Sequence, residues 1–536
     1  MNIAGFIIRP LYWLAGKVFS LWARPSIQPD LPAELITDSG AAVCYVLETG
    51  GLADLLALER ACTTQGLPSP TEPLEFCGTR EYKSFVVLRR MQGFLYRRPR
   101  KTGSQRLLRL VEAAEHGEQD LLLIPVAIYW GRSPEKERSL LKLLFSENWD
   151  VVGRTRKFFA TVLLGRNTLL RFSHALPLRS IDSEGRESAI AYRKVSRILR
   201  VHFRQRRVAT VGPDLSHRRT LINQVLRTPE VRRVIAAEAG DDFRKQEVAR
   251  RKAQKYALEI AADISYPTIR VVERFLKWLW NRIYDGIELN HMDRLHEVAR
   301  DKEVVYVPCH RSHFDYLLLG YIVYEEGLHL PHVAAGINLN MPVVGGILRR
   351  GGAFFLRRSF KGNRLYAAVF DAYLHQILVR GHSIEYFIEG GRSRTGRLLA
   401  PKGGMLAMTI NSYIKNPRRP VVFVPVYFGY EKLIEGDSFI SELGGAGKEK
   451  ESLGGLIRSV KSLREHFGKV YVNIAEPIEL EPVLDRLHSE WREYQPVNGD
   501  RPPWLSAIVD DIGSKIMSGI NAAAAVTPIS LLAYVL

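Results

Sequence analysis

Cysteine is scarce in this 536-residue sequence: Cys44, Cys62, Cys77 and Cys309 are the only four. None forms a Cys-x-x-Cys pair, which excludes a zinc knuckle or redox dithiol of that spacing, and so few thiols make no disulfide scaffold. Zinc-finger spacing and the aromatic RNA-recognition signature are also absent, so no nucleic-acid partner is expected. Neither Gly-x4-Gly-Lys-Ser/Thr nor Gly-x-Gly-x-x-Gly occurs, which removes two common nucleotide-phosphate cradles. Acidic residues fall short of basic ones, 57 against 76, and the net charge of +19 asks for an anionic partner, whether nucleic acid, a phosphorylated metabolite or an anionic bilayer, among which composition does not choose. The remainder is ordinary for a globular chain, with 46% hydrophobic and 25% charged residues. The length allows two to four domains with real cores.

The N-terminus lacks the ~20 uninterrupted apolar residues that a span needs, and no small-residue cleavage site follows it. Arg9, Lys17 and Arg24 fall on one side of a helix, while Tyr12, Trp13, Phe19 and Trp22 favour the headgroup layer. Residues 1–26 are therefore expected to form an amphipathic helix in a membrane interface, although a helix packed on protein has the same pattern. The basic run between Arg80 and Arg109 suits anionic lipid headgroups, at about 1 kcal/mol per charge near the surface, and a solvated face would look the same. At the other end, Ile516 to Leu536 holds no charged residue. A buried or surface-dipping helix is expected there. The chain stops while still apolar, which points to a continuation.

Between the ends, residues 27–215 read as an N-terminal α/β domain around the apolar strand LLLIPVAIYWG (121–131), and residues 216–300 as a helical segment. Within the latter, RFLKWLWNRIYDGIEL (274–289) suits either a second interfacial contact or a core helix. Residues 301–536 alternate short apolar strands with helical stretches. The strand candidates are 303–308, 352–356, 383–390, 421–429 and 470–480. That alternation predicts an α/β fold with a mostly parallel sheet flanked by helices. LIPVAIYWG and FVPVYFG resemble each other, which suits an ancient duplication or chance. The first half has no His-x4-Asp and is not expected to hold a second active site.

The strand EVVYVP ends in CHRSHFDY (309–316). Polar residues at a strand's carboxyl end are where α/β folds place ligands. With His310 in the loop and Asp315 in the first helical turn, the two side chains meet. The carboxylate fixes one imidazole nitrogen and leaves the other as a general base. This spacing is common by chance, and three further segments give it meaning. GGAFFLRRSF puts Arg357 and Arg358 just after a strand; FIEGGRSRTGRLLAPKGG puts Glu389, Gly391, Arg392, Ser393 and Arg394 after another, with Lys402 beyond; VVFVPVYFGYEK carries Pro425. Glycines let backbone N–H groups approach an oxyanion, and arginines grip phosphate in a bidentate manner. Cys309 ends an apolar strand and reads as a buried structural thiol.

In order and spacing the four blocks resemble the glycerolipid acyltransferase superfamily. The longer wording is similar to bacterial membrane-bound glycerol-3-phosphate acyltransferases of the PlsB type, whose members are usually longer at the C-terminal side. The resemblance implies acyl transfer from acyl-CoA or acyl-acyl-carrier-protein to the sn-1 hydroxyl of glycerol 3-phosphate, giving lysophosphatidic acid. It implies peripheral attachment to anionic lipids on the cytoplasmic face of the inner membrane. It also implies that His310 and Asp315 are catalytic, that Arg358, Glu389, Gly391 and Ser393 serve substrate, and that Pro425 shapes the acyl-donor pocket. Arg357, Arg392, Arg394 and Lys402 are weaker phosphate candidates. No metal and no resident cofactor are expected. An enzyme using lysophosphatidate or dihydroxyacetone phosphate would carry the same His–Asp pair.

Overall fold

In the computed structural model, residues 26–28, 41–89, 91–92, 98–99, 104–115, 119–130, 168–181, 188–211, 218–240, 242–444, 466–494 and 501–535 are described. The expected interfacial helix over residues 1–26 lies outside the described residues, save Ser26. The chain divides into two compact units, Met1–Leu215 and Ser216–Leu536.

In the first unit the strands are β1 (Ser26–Gln28), β2 (Ala42–Thr49), β3 (Leu74–Phe76), β4 (Thr79–Glu81), β5 (Phe85–Arg89), β6 (Met91–Gln92), β7 (Arg98–Pro99), β8 (Leu121–Trp130), β9 (Thr168–Phe172) and β10 (Leu176–Pro177). The helices are α1 (Leu52–Thr64), α2 (Gln105–Glu115), α3 (Leu178–Ile181) and α4 (Ser188–Val211). The main sheet runs β1-β9-β8-β2-β5, with β10 added to β8. Its central strand β8 is the apolar run singled out in the sequence, and its residues 121–127 are buried, the Pro125 carbonyl accepting the Ser173 N–H. Part of the basic run has a structural use. Arg106 and Arg109 both donate to the buried Glu81 carboxylate, at 3.0 and 2.7 Å, so these two charges are tied to an acid of their own unit.

The second unit opens with helices α5 (Arg218–Arg227), α6 (Pro229–Ala239), α7 (Phe243–Ile260) and α8 (Tyr266–Ile283). The helical expectation for 216–300 is corrected at β11 (Gly286–Asn290), which pairs in parallel with β17 (Lys469–Ile474). Gly286 and the alternating Ile287 and Leu289 favour a strand there, but only the distant partner decides it. After α9 (Met292–Val298) come β12 (Glu303–Pro308), α10 (Asp315–Glu325), β13 (His332–Gly336), α11 (Val344–Arg350), β14 (Ala353–Leu356), α12 (Arg364–Val379), β15 (Ile384–Glu385), α13 (Gly404–Lys415), β16 (Val421–Tyr430) and α14 (Gly436–Leu443). The strand expected over 383–390 shrinks to the two residues of β15, and the chain turns at Gly390, whose φ is +59°. Beyond β17 lie β18 (Ile478–Glu479), α15 (Leu480–Leu487), α16 (Leu505–Ala522) and α17 (Pro528–Val535). The sheet order is β11-β17-β16-β12-β15-β13-β14, with β18 on β16, and every pair is parallel except those β16 makes with β17 and β18. The mostly parallel sheet expected from the sequence is therefore present, flanked by helices.

Two apolar surfaces stand out. Helix α8 buries Leu276, Leu279, Trp280 and Ile283 yet exposes Val271, Phe275 and Trp278, so it is a core helix with a second apolar face. The single C-terminal helix expected from Ile516 is instead broken between α16 and α17, where Pro528 restarts the chain. Leu531, Leu532, Tyr534 and Val535 of α17 are exposed. No helix among the described residues is long and apolar enough to cross a membrane.

Candidate active site

Strand β12 is buried along its whole length, with β16 on one side and β15 on the other. Its carboxyl end therefore emerges from the middle of the sheet, where the next six residues, 309–314, form a loop before α10. Cys309, the last residue still covered by the sheet, donates its N–H to the Val426 carbonyl and accepts the Phe428 N–H on Sγ at 3.2 Å. Burial pushes this thiol up to about 12, so it is an inert packing group rather than a nucleophile.

His310 and Asp315 meet. Imidazole Nδ1 lies 3.0 Å from Asp315 Oδ2. The carboxylate is fully buried, and its remaining valences are filled by the N–H groups of Arg311 (2.6 Å) and Ser312 (2.9 Å) and by the Tyr430 hydroxyl (2.6 Å). Four donors around one carboxylate fix its orientation. With Nδ1–H donated to Asp315, Nε2 is left with its lone pair. The imidazole side chain keeps 16% of its surface accessible and stacks on Phe387, centroid to centroid 3.9 Å with 21° between planes. A held tautomer, one face covered and one nitrogen reachable, is the arrangement of a general base.

Glu389 is buried, and its two oxygens accept the His310 N–H at 2.9 Å and the Leu399 N–H at 2.7 Å, so it braces the backbone of this loop. The Ser393 N–H completes the clamp by donating to the His310 carbonyl at 2.9 Å. The Ser393 hydroxyl is buried without a hydrogen bond among the described residues, as is one terminal nitrogen of Arg311. Such groups are costly unless something fills them. At Gly391 an added Cβ would meet nothing within 4 Å, so the glycine leaves open space beside the backbone.

The arginines separate into tied and open ones. Arg357 donates through Nε and a terminal nitrogen to both oxygens of Glu259, each at 2.8 Å, between the rings of Tyr256 and Tyr366. Arg392 faces Glu435 at 3.8 Å, and Arg394 donates to Glu442 at 3.1 Å, both against the Phe439 ring. Arg358 is exposed and makes no ion pair among the described residues. Lys402 is also exposed, its stem against Gly390. Pro425 lies within β16 opposite Val307, and its ring faces Gly519 of α16. No group of three or more potential metal ligands occurs among the described residues.

Sequence reasoning missed three groups here. Glu435 accepts from Ser312 Oγ and from the His313 N–H, Tyr430 from β16 reaches Asp315, and Phe387 supports the imidazole. Burial holds the Glu435 carboxyl above its usual range, and it presses His313 down to about 3, so His313 is neutral at physiological pH. Tyr430 stood within the quoted block VVFVPVYFGYEK, but nothing local pointed its hydroxyl at Asp315.

Comparison with known proteins agrees with this geometry. The family models for the glycerol-3-phosphate acyltransferase PlsB N-terminal domain, an acyltransferase domain and the glycerol-3-phosphate acyltransferase C-terminal region match residues 11–212, 290–429 and 439–536. The glycerol-3-phosphate acyltransferase of Pseudomonas paraeruginosa is 46% identical over 521 residues, 97% of this chain and 62% of that protein. Along nearly its whole length, the chain is similar to this bacterial glycerol-3-phosphate acyltransferase. Another glycerol-3-phosphate acyltransferase, from Xanthomonas axonopodis pv. citri, is 48% identical over 530 residues, 98% of this chain and 60% of that protein. The chain thus spans 60–62% of the length of these glycerol-3-phosphate acyltransferases. Among solved structures, the 1-acyl-sn-glycerophosphate (LPA) acyltransferase of Thermotoga maritima aligns at 15% identity and a TM-score of 0.27, over 58% of this chain and 98% of that one.

Proposed function

We propose that the Ser216–Leu536 unit transfers a fatty acyl group from acyl-CoA or acyl-acyl-carrier-protein to the sn-1 hydroxyl of glycerol 3-phosphate, giving lysophosphatidic acid. One observation carries the reading: the buried, four-donor Asp315 carboxylate holding a largely covered imidazole at the carboxyl end of the central strand. His310 Nε2 takes the hydroxyl proton as the alcohol oxygen attacks the thioester carbonyl carbon. The C–S bond then breaks, and the leaving thiolate receives the proton from the imidazolium, which Asp315 stabilises meanwhile. A thioester is already activated, so no acyl-enzyme is required.

The substrate's phosphate carries about −1.5 to −2 charges at pH 7. Arg358, open to solvent, the unpartnered nitrogen of Arg311 and the unpartnered Ser393 hydroxyl supply donors for it, and Gly391 gives room for close approach. Arg392, Arg394 and Lys402 border the same loop. Arg357 is held by Glu259 and positions the strand end from which Arg358 projects. The work is placed at an anionic membrane surface on the cytoplasmic face of the inner membrane. The net charge of +19 supports that, as do Phe275 and Trp278 exposed beside Arg274 and Lys277.

The test is acylation of glycerol 3-phosphate by the wild type and by His310→Ala, with lysophosphatidate and dihydroxyacetone phosphate as rival acceptors. His310→Ala should lose on the order of 10²–10⁴-fold in turnover while remaining folded. Near-normal turnover would sink the mechanism, and preference for a rival acceptor would move the reading to a related enzyme.

A further inference from the structure

The two units, described separately, share one hydrogen-bonding plan. In the first, β8 pairs in parallel with β2 through Val46↔Pro125, and then antiparallel with β9 from Val126↔Phe172. In the second, β16 pairs in parallel with β12, with Val307 opposite Pro425, and then antiparallel with β17 from Val426↔Ile474. On each long strand the parallel ladder on one edge ends, and the antiparallel ladder on the other edge begins, at a Pro–Val step. The returning chain pairs again four residues later, Leu176↔Leu123 in one unit and Ile478↔Phe423 in the other. A short edge strand lies parallel to the return strand in both, β1 on β9 and β11 on β17.

Details outside the ladders coincide as well. The Ser173 N–H donates to the Pro125 carbonyl and the Ala475 N–H to the Pro425 carbonyl, each at 3.0 Å. Ala42 donates to Asp120 as Glu303 donates to Pro420. One residue before the end of the return strand, Arg171 reaches Thr210 near the end of α4, and Asn473 reaches the Ala523 carbonyl just past α16. From β5 through α2 to β8 and from β15 through α13 to β16, equivalent residues stay 300 positions apart, so Tyr45↔Phe85 in one ladder matches Tyr306↔Glu385 in the other. Right-handed parallel crossovers recur in unrelated α/β folds. That rule does not dictate an antiparallel return at the same residue, a second pairing four residues on, or equal spacing.

We infer that the Met1–Leu215 unit is a second copy of the acyltransferase fold that has lost the groups the reaction needs, leaving all acyl transfer to His310. Register places Thr49 where His310 stands, and Arg89, opposite Thr49, where Glu389 stands. Asp54, five residues after Thr49 and buried in the first turn of α1, is the counterpart of Asp315. The acid is kept and the base is gone. The β3–β4 hairpin occupies the place of the β13-α11-β14-α12 segment, so Arg357 and Arg358 have no counterpart. The claim of a shared fold stands on register alone; the claim of silence rests also on the proposed chemistry of His310.

The first half is tested by an experimental structure of the full chain. Superposing the units should bring Val46, Pro125, Phe172 and Leu176 onto Val307, Pro425, Ile474 and Ile478, and Thr49 onto His310. A shift of even one residue would place the opposite face at the site and overturn the duplication. The second half is tested in the glycerol 3-phosphate assay with Thr49→Ala and Asp54→Asn, foldedness being followed by thermal melting. Both should stay within about twofold of wild type, as substitutions away from chemistry do. A folded Thr49→Ala protein that lost as much turnover as His310→Ala would overturn the silence. If wild type acylates no acceptor, the proposed function falls while the superposition still decides the duplication.

Discussion

The loop from Cys309 to Asp315 and the loop from Glu48 to Asp54 leave equivalent strands and enter equivalent helices, yet only the first is built for proton transfer. In the first, a buried carboxylate collects an imidazole, two backbone N–H groups and a tyrosine hydroxyl. A second buried carboxylate, Glu389, clamps the backbone at His310. In the second, Thr49 replaces the imidazole, and Arg89 stands in the clamp's place, where it forms a 3.8 Å ion pair with Glu48. The sheet that positions these loops is the same; the charges at its carboxyl edge are not. A fold fixes where chemistry can occur, and the side chains at a few register positions decide whether it does.

The comparison breaks most sharply at its shared acid. Asp315→Asn keeps the shape but turns an amide NH2 toward groups that donate, so the imidazole loses its fixed tautomer. Turnover should fall by about 10²–10⁴-fold, against almost no change for Asp54→Asn. Equal losses in a steady-state assay would mean that the two loops do related work. The next largest effect lies in the segment that the first unit lacks. Arg358→Ala should raise KM for glycerol 3-phosphate by about 10–100-fold, the scale of one charge-assisted hydrogen bond, with little change in stability. Arg357→Ala should instead lower Tm, because it leaves Glu259 without its bidentate partner between two tyrosine rings. A swap of those phenotypes would move the phosphate to Arg357.

Much of this site could be read from the sequence, for local reasons. The His310-to-Asp315 spacing, the glycines after β15 and the arginines after β14 all sit at strand ends that apolar runs announce. What could not be read is what arrives from far along the chain. Glu435 meets Ser312 across 123 positions, and Tyr430 meets Asp315 across 115. Arg357 looked like a phosphate ligand because nothing nearby in sequence reveals Glu259 beneath it, 98 positions away. The likeness of LIPVAIYWG to FVPVYFG was visible, but two short apolar strands resemble each other cheaply. Only the exchange of a parallel ladder on one edge for an antiparallel ladder on the other, at the Pro125–Val126 and Pro425–Val426 steps, distinguishes kinship from chance, and that is a property of pairing.

Two smaller effects sharpen the contrast at the sheet itself. The Tyr430 position is Trp130 in the first unit, which has no hydroxyl to give. Tyr430→Phe removes one donor from the Asp315 carboxylate and should cost about tenfold in kcat/KM, the worth of a hydrogen bond to a charged group. An unchanged rate would show that the two backbone N–H groups suffice. The last position is Glu385, whose counterpart is Phe85. Glu385 is fully buried with neither oxygen hydrogen-bonded among the described residues, and burial, followed by the charge of Asp315, raises its carboxyl well above the ordinary range. The folded protein therefore holds a proton there that the unfolded chain releases near its usual pKa of about 4.3. The neutral carboxyl's contribution to stability is complete below that value and is lost as pH rises toward the folded pKa. Its slope is at most about 1.4 kcal/mol per pH unit. Glu385→Gln does not titrate. The melting temperatures of the two proteins should lie close together near pH 4 and diverge as pH rises, the variant becoming the more stable, with turnover little altered. Titrations elsewhere cancel in that difference, so parallel melting curves from pH 4 to 8 would mean that Glu385 is ionised and paired in the fold.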